Sequence, residues 1–120
     1  MLNLDTHVLL AVAADRLTRQ EQSLLRRVPR WGISAIVLWE MEMLHRKGRI
    51  RYSVDDPEVA ALLATVHIWP IDTQVCLCLR DLDFRSDPAD EIIAATSLAH
   101  RVPLVTRDAR LRRSRVVRFA

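Results

Sequence analysis

Residues 1–14 read MLNLDTHVLLAVAA, and this stretch decides the fold class. Met1–Leu4 is short and apolar, Asp5 and Thr6 are good helix N-caps, and the apolar run Val8–Ala14 follows. That order predicts a buried strand that turns directly into a helix. A unit of this kind is typical of α/β proteins, in which helices cover a sheet of short strands.

The rest of the chain repeats this alternation of short apolar strands and helices. Further strands are predicted at Trp31–Ser34, Val66–Ile71 and Pro103–Thr106, with Val116–Phe119 as a candidate for the last one. Helices are predicted at Thr18–Val28, Ala35–Lys47 and Asp56–Thr65, from Asp72 or Thr73 to about Leu82, and at Ala89–His100. Ser34 is the predicted cap of the second of these, and Asp72 or Thr73 that of the fourth. We therefore expect an α/β fold with three layers, α/β/α, around a central short-stranded parallel sheet. Gly-rich phosphate loops are excluded, because Gly32 and Gly48 are the only glycines.

Composition predicts the size and the compartment. The 120 residues are 50% hydrophobic and 28% charged, which predicts a single domain over residues 1–120 with one core. The longest apolar run, Val8–Ala14, is far shorter than the roughly 20 residues of a membrane span, and no signal peptide is evident. Cys76 and Cys78 are too close in sequence for a disulfide between them to link distant parts of the fold, which favours a reducing compartment. We expect a cytoplasmic protein without a membrane partner.

The net charge is +3, and Lys47 is the only lysine among the 18 basic residues. The arginines concentrate at residues 46–51 and 107–118. The planar arginine fork suits phosphate, so these clusters are compatible with a nucleic-acid backbone. A solvated face is the commoner explanation for such clusters, and a GC-rich genome can account for the high share of arginine.

Two acids follow predicted strands. Asp5 ends the first strand, and Asp108 lies two residues beyond Thr106, at the edge where parallel sheets bind ligands. Taken singly, each acid is better explained as a helix N-cap. Glu40 has no such explanation, because its neighbours one turn away, Val37 and Leu44 among them, are apolar and predict a core-facing stripe.

A further pair of acids begins the alanine-rich helix. Asp87 is the predicted N-cap and Pro88 the first helical residue, so Asp90 occupies the third position. Asp90 also aligns with Ile93 and Ser97 on the face of small residues that approaches the sheet. The role of Asp87 stays open between a cap and a site residue.

Together, Asp5, Glu40, Asp90 and Asp108 form a set that the fold class can bring into one place. Converging carboxylates repel one another unless a hard cation neutralises them, and oxygen ligands favour Mg²⁺ or Mn²⁺. Such ions promote phosphodiester hydrolysis. We expect the three aspartates to be the metal ligands, all four acids to be catalytic, and Thr6, Thr106 and Asp87 to support them. The four histidines lack ligand spacing, and no serine shows a nucleophile motif.

Four segments resemble the PIN-domain ribonucleases, and VapC toxins of bacterial type II toxin–antitoxin pairs in particular. They are Leu4–Leu10, Ser34–Glu40, Asp87–Thr96 and Leu104–Asp108, which occur in family order. The resemblance implies a PIN-like fold and a Mg²⁺- or Mn²⁺-dependent endoribonuclease that cleaves cellular RNA. It also implies a VapB-type antitoxin as inhibitor, leaves a homodimer open, and matches the four acids to the family's acidic quartet.

Two departures from the family pattern accompany this likeness. The stretch before Trp31 is short for the family, and Glu91 stands where many members carry arginine. The alternatives are a PIN nuclease of RNA processing without an antitoxin, and a catalytically inactive PIN scaffold. A phosphoryl-accepting receiver domain is disfavoured, because its lysine would follow a late strand whereas Lys47 lies on another segment. The RNA target, the cleaved bond and the physiological metal stay open.

Overall fold

One parallel sheet forms the centre of the molecule. The computed structural model describes residues 1–120. Its strands are β1 (Leu2–Leu4), β2 (Trp31–Ser34), β3 (His67–Trp69) and β4 (Leu104–Val105). Their order across the sheet is β3-β2-β1-β4, and every neighbouring pair is parallel. The predicted α/β fold class with a short-stranded parallel sheet is therefore confirmed.

Six α-helices surround the sheet. They are α1 (Thr6–Ala13), α2 (Arg19–Arg27), α3 (Ala35–Arg46), α4 (Pro57–Leu63), α5 (Thr73–Cys78) and α6 (Pro88–His100). Several begin at the side chains that predicted them: Asp5, Ser34 and Asp72 each accept a backbone N–H of the first turn. None of the helices is both long and apolar enough to span a membrane.

The predicted last strand, Val116–Phe119, is wrong. Only Phe119 pairs with the sheet, through a single bridge to Leu104. The Ser114 hydroxyl accepts the backbone N–H groups of Val116 and Val117, at 3.3 and 3.2 Å, so the segment begins as a turn. Because β4 is only two residues long, it offers little edge for a fifth strand.

The core fixes α6 against β1. Fifteen buried apolar side chains form one cluster, and Leu4, Val8, Ile33 and Ile93 among them are fully or almost fully buried. The buried Asn3 of β1 donates from Nδ2 to the carbonyl of Ile93 at 3.0 Å and to the Ser97 hydroxyl at 2.9 Å. These two bonds set the position of α6, and with it the start of that helix, relative to the end of β1.

Candidate active site

The predicted acids converge at the carboxyl ends of the strands. A cavity of about 320 Å³ lies there, and none of the eight residues that line it is hydrophobic. We name it the acidic cavity, and its lining residues are Asp5, His7, Glu40, Asp87, Asp90, Arg107, Asp108 and Arg110. All four members of the acidic quartet therefore share one cavity, as does Asp87.

Asp5 is held by two donors at the junction of β1 and α1. Its side chain is buried, and Oδ1 accepts the Thr6 backbone N–H at 2.7 Å. The Thr106 hydroxyl donates to the other oxygen, Oδ2, at 2.6 Å. The same hydroxyl accepts the Asp108 backbone N–H at 3.1 Å, so Thr106 ties Asp5 to the segment that carries Asp108. Asp5 is thus both the predicted cap and a wall of the cavity.

Glu40 projects from α3 into the acidic cavity and is only partly buried. The stripe expected beside Glu40 does face the core, since Val37 is buried and Leu44 packs against the core cluster, but Glu40 itself lies at its edge. The Thr6 hydroxyl donates to Glu40 Oε1. Burial raises the pKa of Glu40, and the charges of Asp5 and Asp90 raise it further against the bond from Thr6. The carboxyl therefore stands in a site that disfavours its charged form.

Asp90 occupies the third position of α6, as predicted. Its Oδ2 accepts the Ser86 hydroxyl at 2.8 Å, and Glu91 accepts the Ser86 backbone N–H at 3.0 Å. Burial raises the pKa of Asp90, and the charges of Asp5, Asp108 and Asp87 add to that effect. Glu91, which departs from the family pattern, thus helps to hold the loop that precedes the helix.

Of the two roles left open for Asp87, the cap holds in position but not in hydrogen bonding. Asp87 does occupy the N-cap position, but its exposed side chain makes no capping hydrogen bond. The two side chains that organise this helix start, Asp90 and Glu91, bond to Ser86 instead. Asp87 is left as a free carboxylate on the wall of the acidic cavity.

Asp108 differs from the other acids because a cation accompanies it. Its Oδ1 accepts the Arg110 backbone N–H at 2.8 Å, and its Oδ2 lies 3.4 Å from Arg110 Nη2. Burial on its own would raise the pKa of Asp108, but the hydrogen bonds from Arg110 outweigh it and lower the pKa. Asp108 therefore keeps its negative charge more readily than Glu40 or Asp90.

Sequence reasoning missed four residues that shape the cavity. They are His7, Ser86, Arg107 and Arg110. His7 was set aside because it lacks ligand spacing, yet it lies two residues beyond Asp5 on the first turn of α1. Arg107 and Arg110 flank Asp108 in sequence. Each of the four lies within two residues of a candidate acid, Ser86 directly before Asp87, and this closeness in sequence was the available signal.

The donor set suits a hydrated hard cation rather than a closed metal cage. No group of three or more Asp, Glu, His or Cys side chains is arranged so that it could hold a metal ion in this structure. Mg²⁺ binds proteins through one or two carboxylates and keeps several waters. The carboxylates of Asp5, Asp87 and Asp90 have no ion-pair partner and share the cavity, which suits such an ion. Direct ligation by Asp5, Asp90 and Asp108 stays a prediction.

Comparison with known proteins bears on this site. The family model described as PIN domain matches residues 3–116. The chain belongs to the PIN-domain family. It is also 30% identical over 118 residues to Ribonuclease VapC22 of Mycobacterium tuberculosis. The alignment covers 93% of this chain and 90% of that protein. The predicted resemblance to PIN domains of the VapC type is therefore confirmed.

Solved structures share the fold of this PIN domain. VapBC2 from Rickettsia felis, bound to a promoter DNA fragment, superposes with a TM-score of 0.78 at 16% identity, over 100% of this chain and 98% of that one. VapBC from Salmonella typhimurium, also bound to DNA, gives 0.68 at 18% identity, over 99% and 96%. At these identities the likeness establishes the three-dimensional fold alone.

Proposed function

We propose that this PIN domain is a Mg²⁺- or Mn²⁺-dependent endoribonuclease of the VapC toxin type, which cleaves cellular RNA in the cytoplasm. One observation carries the proposal: Asp5, Glu40, Asp90 and Asp108 come from four segments and line one cavity without a hydrophobic side chain. Membership of the PIN family and the likeness to a VapC ribonuclease support a nuclease.

The four acids divide two tasks in this proposal. Asp5, Asp90 and Asp108 would hold the cation, which when bound would supply polarisation of a phosphodiester and activation of water. Glu40 accepts a proton from the attacking water, because Thr6 holds its Oε1 in place and its raised pKa makes it a stronger base than an ordinary glutamate. Thr6 and Thr106 orient Glu40 and Asp5.

A VapB-type antitoxin is the partner that we propose for this toxin. The two solved neighbours above are VapBC toxin–antitoxin complexes. The acidic cavity offers several acceptor oxygens, and an arginine fork from the antitoxin is the side chain best suited to fill it, since it bonds two oxygens at once. The homodimer suggested by the family stays a prediction.

Cleavage of total cellular RNA by the purified protein tests the proposed activity. We expect new RNA ends with Mg²⁺ or Mn²⁺, none in chelator, and a loss of about 10²-fold or more in Asp108→Asn. Asp15→Asn is the matched control, because Asp15 is exposed and its φ of 54° is one that asparagine tolerates. Equal cleavage by Asp108→Asn and Asp15→Asn would contradict the proposal.

A further inference from the structure

A second cavity adjoins the acidic one. Its volume is about 440 Å³, and it lies between α1 and the segment after α3. We name it the basic groove, and the polar residues on its wall are His7, Arg16, Arg49, Arg51, Tyr52 and Arg107. Because His7 and Arg107 also line the acidic cavity, the two cavities meet at these side chains.

Three of the four arginines in the basic groove have no acidic partner. The molecule contains two ion pairs, Arg107 with Glu21 at 2.7 Å and Arg110 with Asp108 at 3.4 Å. Arg16, Arg49 and Arg51 are exposed and take part in neither pair. No carboxylate lines the groove. Free guanidinium groups on one concave wall are suited to phosphate, which they bind through paired N–H donors.

The floor of the groove suits a nucleobase. Leu10, Ala11 and Ile50 supply apolar surface, and Tyr52 adds a partly buried ring. The Arg51 guanidinium carbon lies 6.0 Å from the centre of that ring. Alternation of cations with an aromatic face is the pattern by which proteins bind single-stranded nucleic acid, whose unstacked bases rest on rings while phosphates meet arginines.

Arg107 is fixed at the junction of the two cavities. Its Nε and Nη2 donate to the two oxygens of Glu21, at 2.8 and 2.7 Å, and Nη2 also donates to the Arg16 carbonyl at 3.1 Å. A strand whose reacting phosphate lies among the acids extends beyond the acidic cavity on both sides, because the RNA backbone is continuous. The basic groove adjoins the acidic cavity on the side of Arg107.

We propose that the basic groove binds single-stranded RNA on one side of the cleaved bond, with Arg16, Arg49 and Arg51 on its phosphates and Tyr52 against a base. The inference rests on the proposed nuclease function. The charges favour RNA over a basic peptide segment, because the groove arginines attract phosphates and repel further cationic side chains.

Binding of a short fluorescent single-stranded RNA tests the groove without cleavage. The background is the full chain with Glu40→Gln, and the groove variant adds Arg49→Ala and Arg51→Ala. The matched control adds Arg26→Ala and Arg30→Ala, which remove the same charge from exposed positions outside both cavities. We expect affinity to fall about tenfold or more in the groove variant alone. The slope of log K against log salt should shrink by about 1.4, for two phosphates at roughly 0.7 each.

Tyr52 provides an independent arm of the binding test. Tyr52→Phe should keep the affinity and Tyr52→Leu should lower it several-fold, with the salt slope unchanged in both, because stacking is not a charge interaction. A salt slope that is the same in the groove variant and the charge control would overturn the proposal. An equal loss in Tyr52→Phe and Tyr52→Leu would overturn the stacking role.

Cleavage kinetics separate this proposal from the function on which it rests. In the otherwise unchanged chain, Arg49→Ala with Arg51→Ala should raise KM about tenfold and leave kcat within about twofold. If the unchanged chain cleaves RNA and this variant matches the charge control, the groove proposal fails and the nuclease stands. If no metal ion supports cleavage, the nuclease fails whatever the RNA affinity. If the groove variant kept its RNA affinity but lost binding to a VapB-type antitoxin, the groove would be a protein surface and the proposal would be overturned.

Discussion

Two threonine hydroxyls hold two acids of the candidate site at fixed angles. Thr6 donates to Glu40, and Thr106 donates to Asp5. In sequence, Thr6 directly follows Asp5, and Thr106 lies two residues before Asp108. A hydroxyl that donates to a carboxylate favours its ionised form. The two bonds therefore offset part of the repulsion among the acids and leave one oxygen of Glu40 free for a proton.

Glu40→Gln should separate activity from stability. Burial raises the folded-state pKa of Glu40, so the folded protein holds a proton that the unfolded chain releases. Stability then falls as pH rises from the ordinary pKa of glutamate, about 4.3, toward the raised value, and stays reduced above it. Removing the charge should give an unchanged or higher melting temperature at neutral pH in chelator, and a loss of about 10²–10⁴-fold in cleavage.

Thermal melts at several pH values and single-turnover cleavage check the Glu40 prediction. The difference in melting temperature between Glu40→Gln and the unchanged chain should vanish at pH values below the ordinary glutamate pKa. Glu42→Gln, on the same helix and outside the acidic cavity, is the control. Lost cleavage together with a large fall in melting temperature at neutral pH would assign Glu40 a structural role instead.

At the scale of elements, the start of α2 is tied to the wall of the acidic cavity. Thr18 and Glu21 form a reciprocal capping box, and Glu21 also accepts two hydrogen bonds from Arg107. The bond from Arg107 is the main cause that lowers the pKa of Glu21 to about 2. One carboxylate thus joins a helix terminus to the segment between Thr106 and Asp108.

Glu21→Gln should destabilise the protein in a pH-dependent way. Because the folded-state pKa is depressed, the contribution of Glu21 is complete above the ordinary glutamate pKa and is lost as pH falls toward about 2. The Arg107 side chain is 42% exposed, so solvent screens the pair and we expect a loss of only about 1 kcal/mol at pH 7. Urea unfolding across pH measures it, with Glu58→Gln, in the first turn of α4, as control. A loss that persists undiminished near pH 2 would refute the ionic explanation.

Gly32 allows β2 to lie under the indole of Trp69. A Cβ at Gly32 would lie 2.5 Å from two ring carbons of that buried side chain, so Gly32→Ala must displace it. We expect a loss of about 1–3 kcal/mol in urea unfolding, as for an overpacked core. Trp69→Phe should cost less in the Gly32→Ala background than in the unchanged chain, because the smaller ring relieves the clash. Strictly additive losses would contradict this account.

The sequence predicted elements well where the signal was local and poorly where tertiary pairing decided. Asp5, Ser34 and Asp72 cap their helices as expected, because a cap needs only the next few residues. The strand expected at Val66–Ile71 shortens to His67–Trp69, since Pro70 has no N–H to donate to a neighbour. Whether Asp87 caps α6 depended on Ser86 and its choice of partners, which no local pattern contains.

At the scale of the whole molecule, topology explains why the acids could be predicted and the basic groove could not. Asp5 and Asp108 follow β1 and β4, which are neighbours in the sheet, so their convergence follows from the fold class. The groove arises where Arg49–Tyr52 folds back beside α1, and no periodicity encodes that packing. The arginine cluster was visible in the sequence, but its opposition to α1 needed the structure.

The molecule as a whole should be stabilised by the cation that its acids attract. Without an ion, Asp5, Glu40, Asp90 and Asp108 repel one another in a shared cavity, although the net charge of the chain is +3. An ion that binds only the folded state stabilises it by about 2.7 kcal/mol at 100 times its Kd.

Mn²⁺ should therefore raise the melting temperature of the unchanged chain, and it should raise that of Asp90→Asn much less. In chelator, Asp90→Asn should melt at a higher temperature than the unchanged chain, because one repulsive charge is gone. Burial and neighbouring charges raise the pKa of Asp90, so protons compete with the ion and the stabilisation should shrink as pH falls. Asp15→Asn should respond as the unchanged chain does. If Mn²⁺ raised the melting temperature of Asp90→Asn as much as that of the unchanged chain, the ion would bind elsewhere. That result would contradict the assignment of the acidic cavity as a metal site.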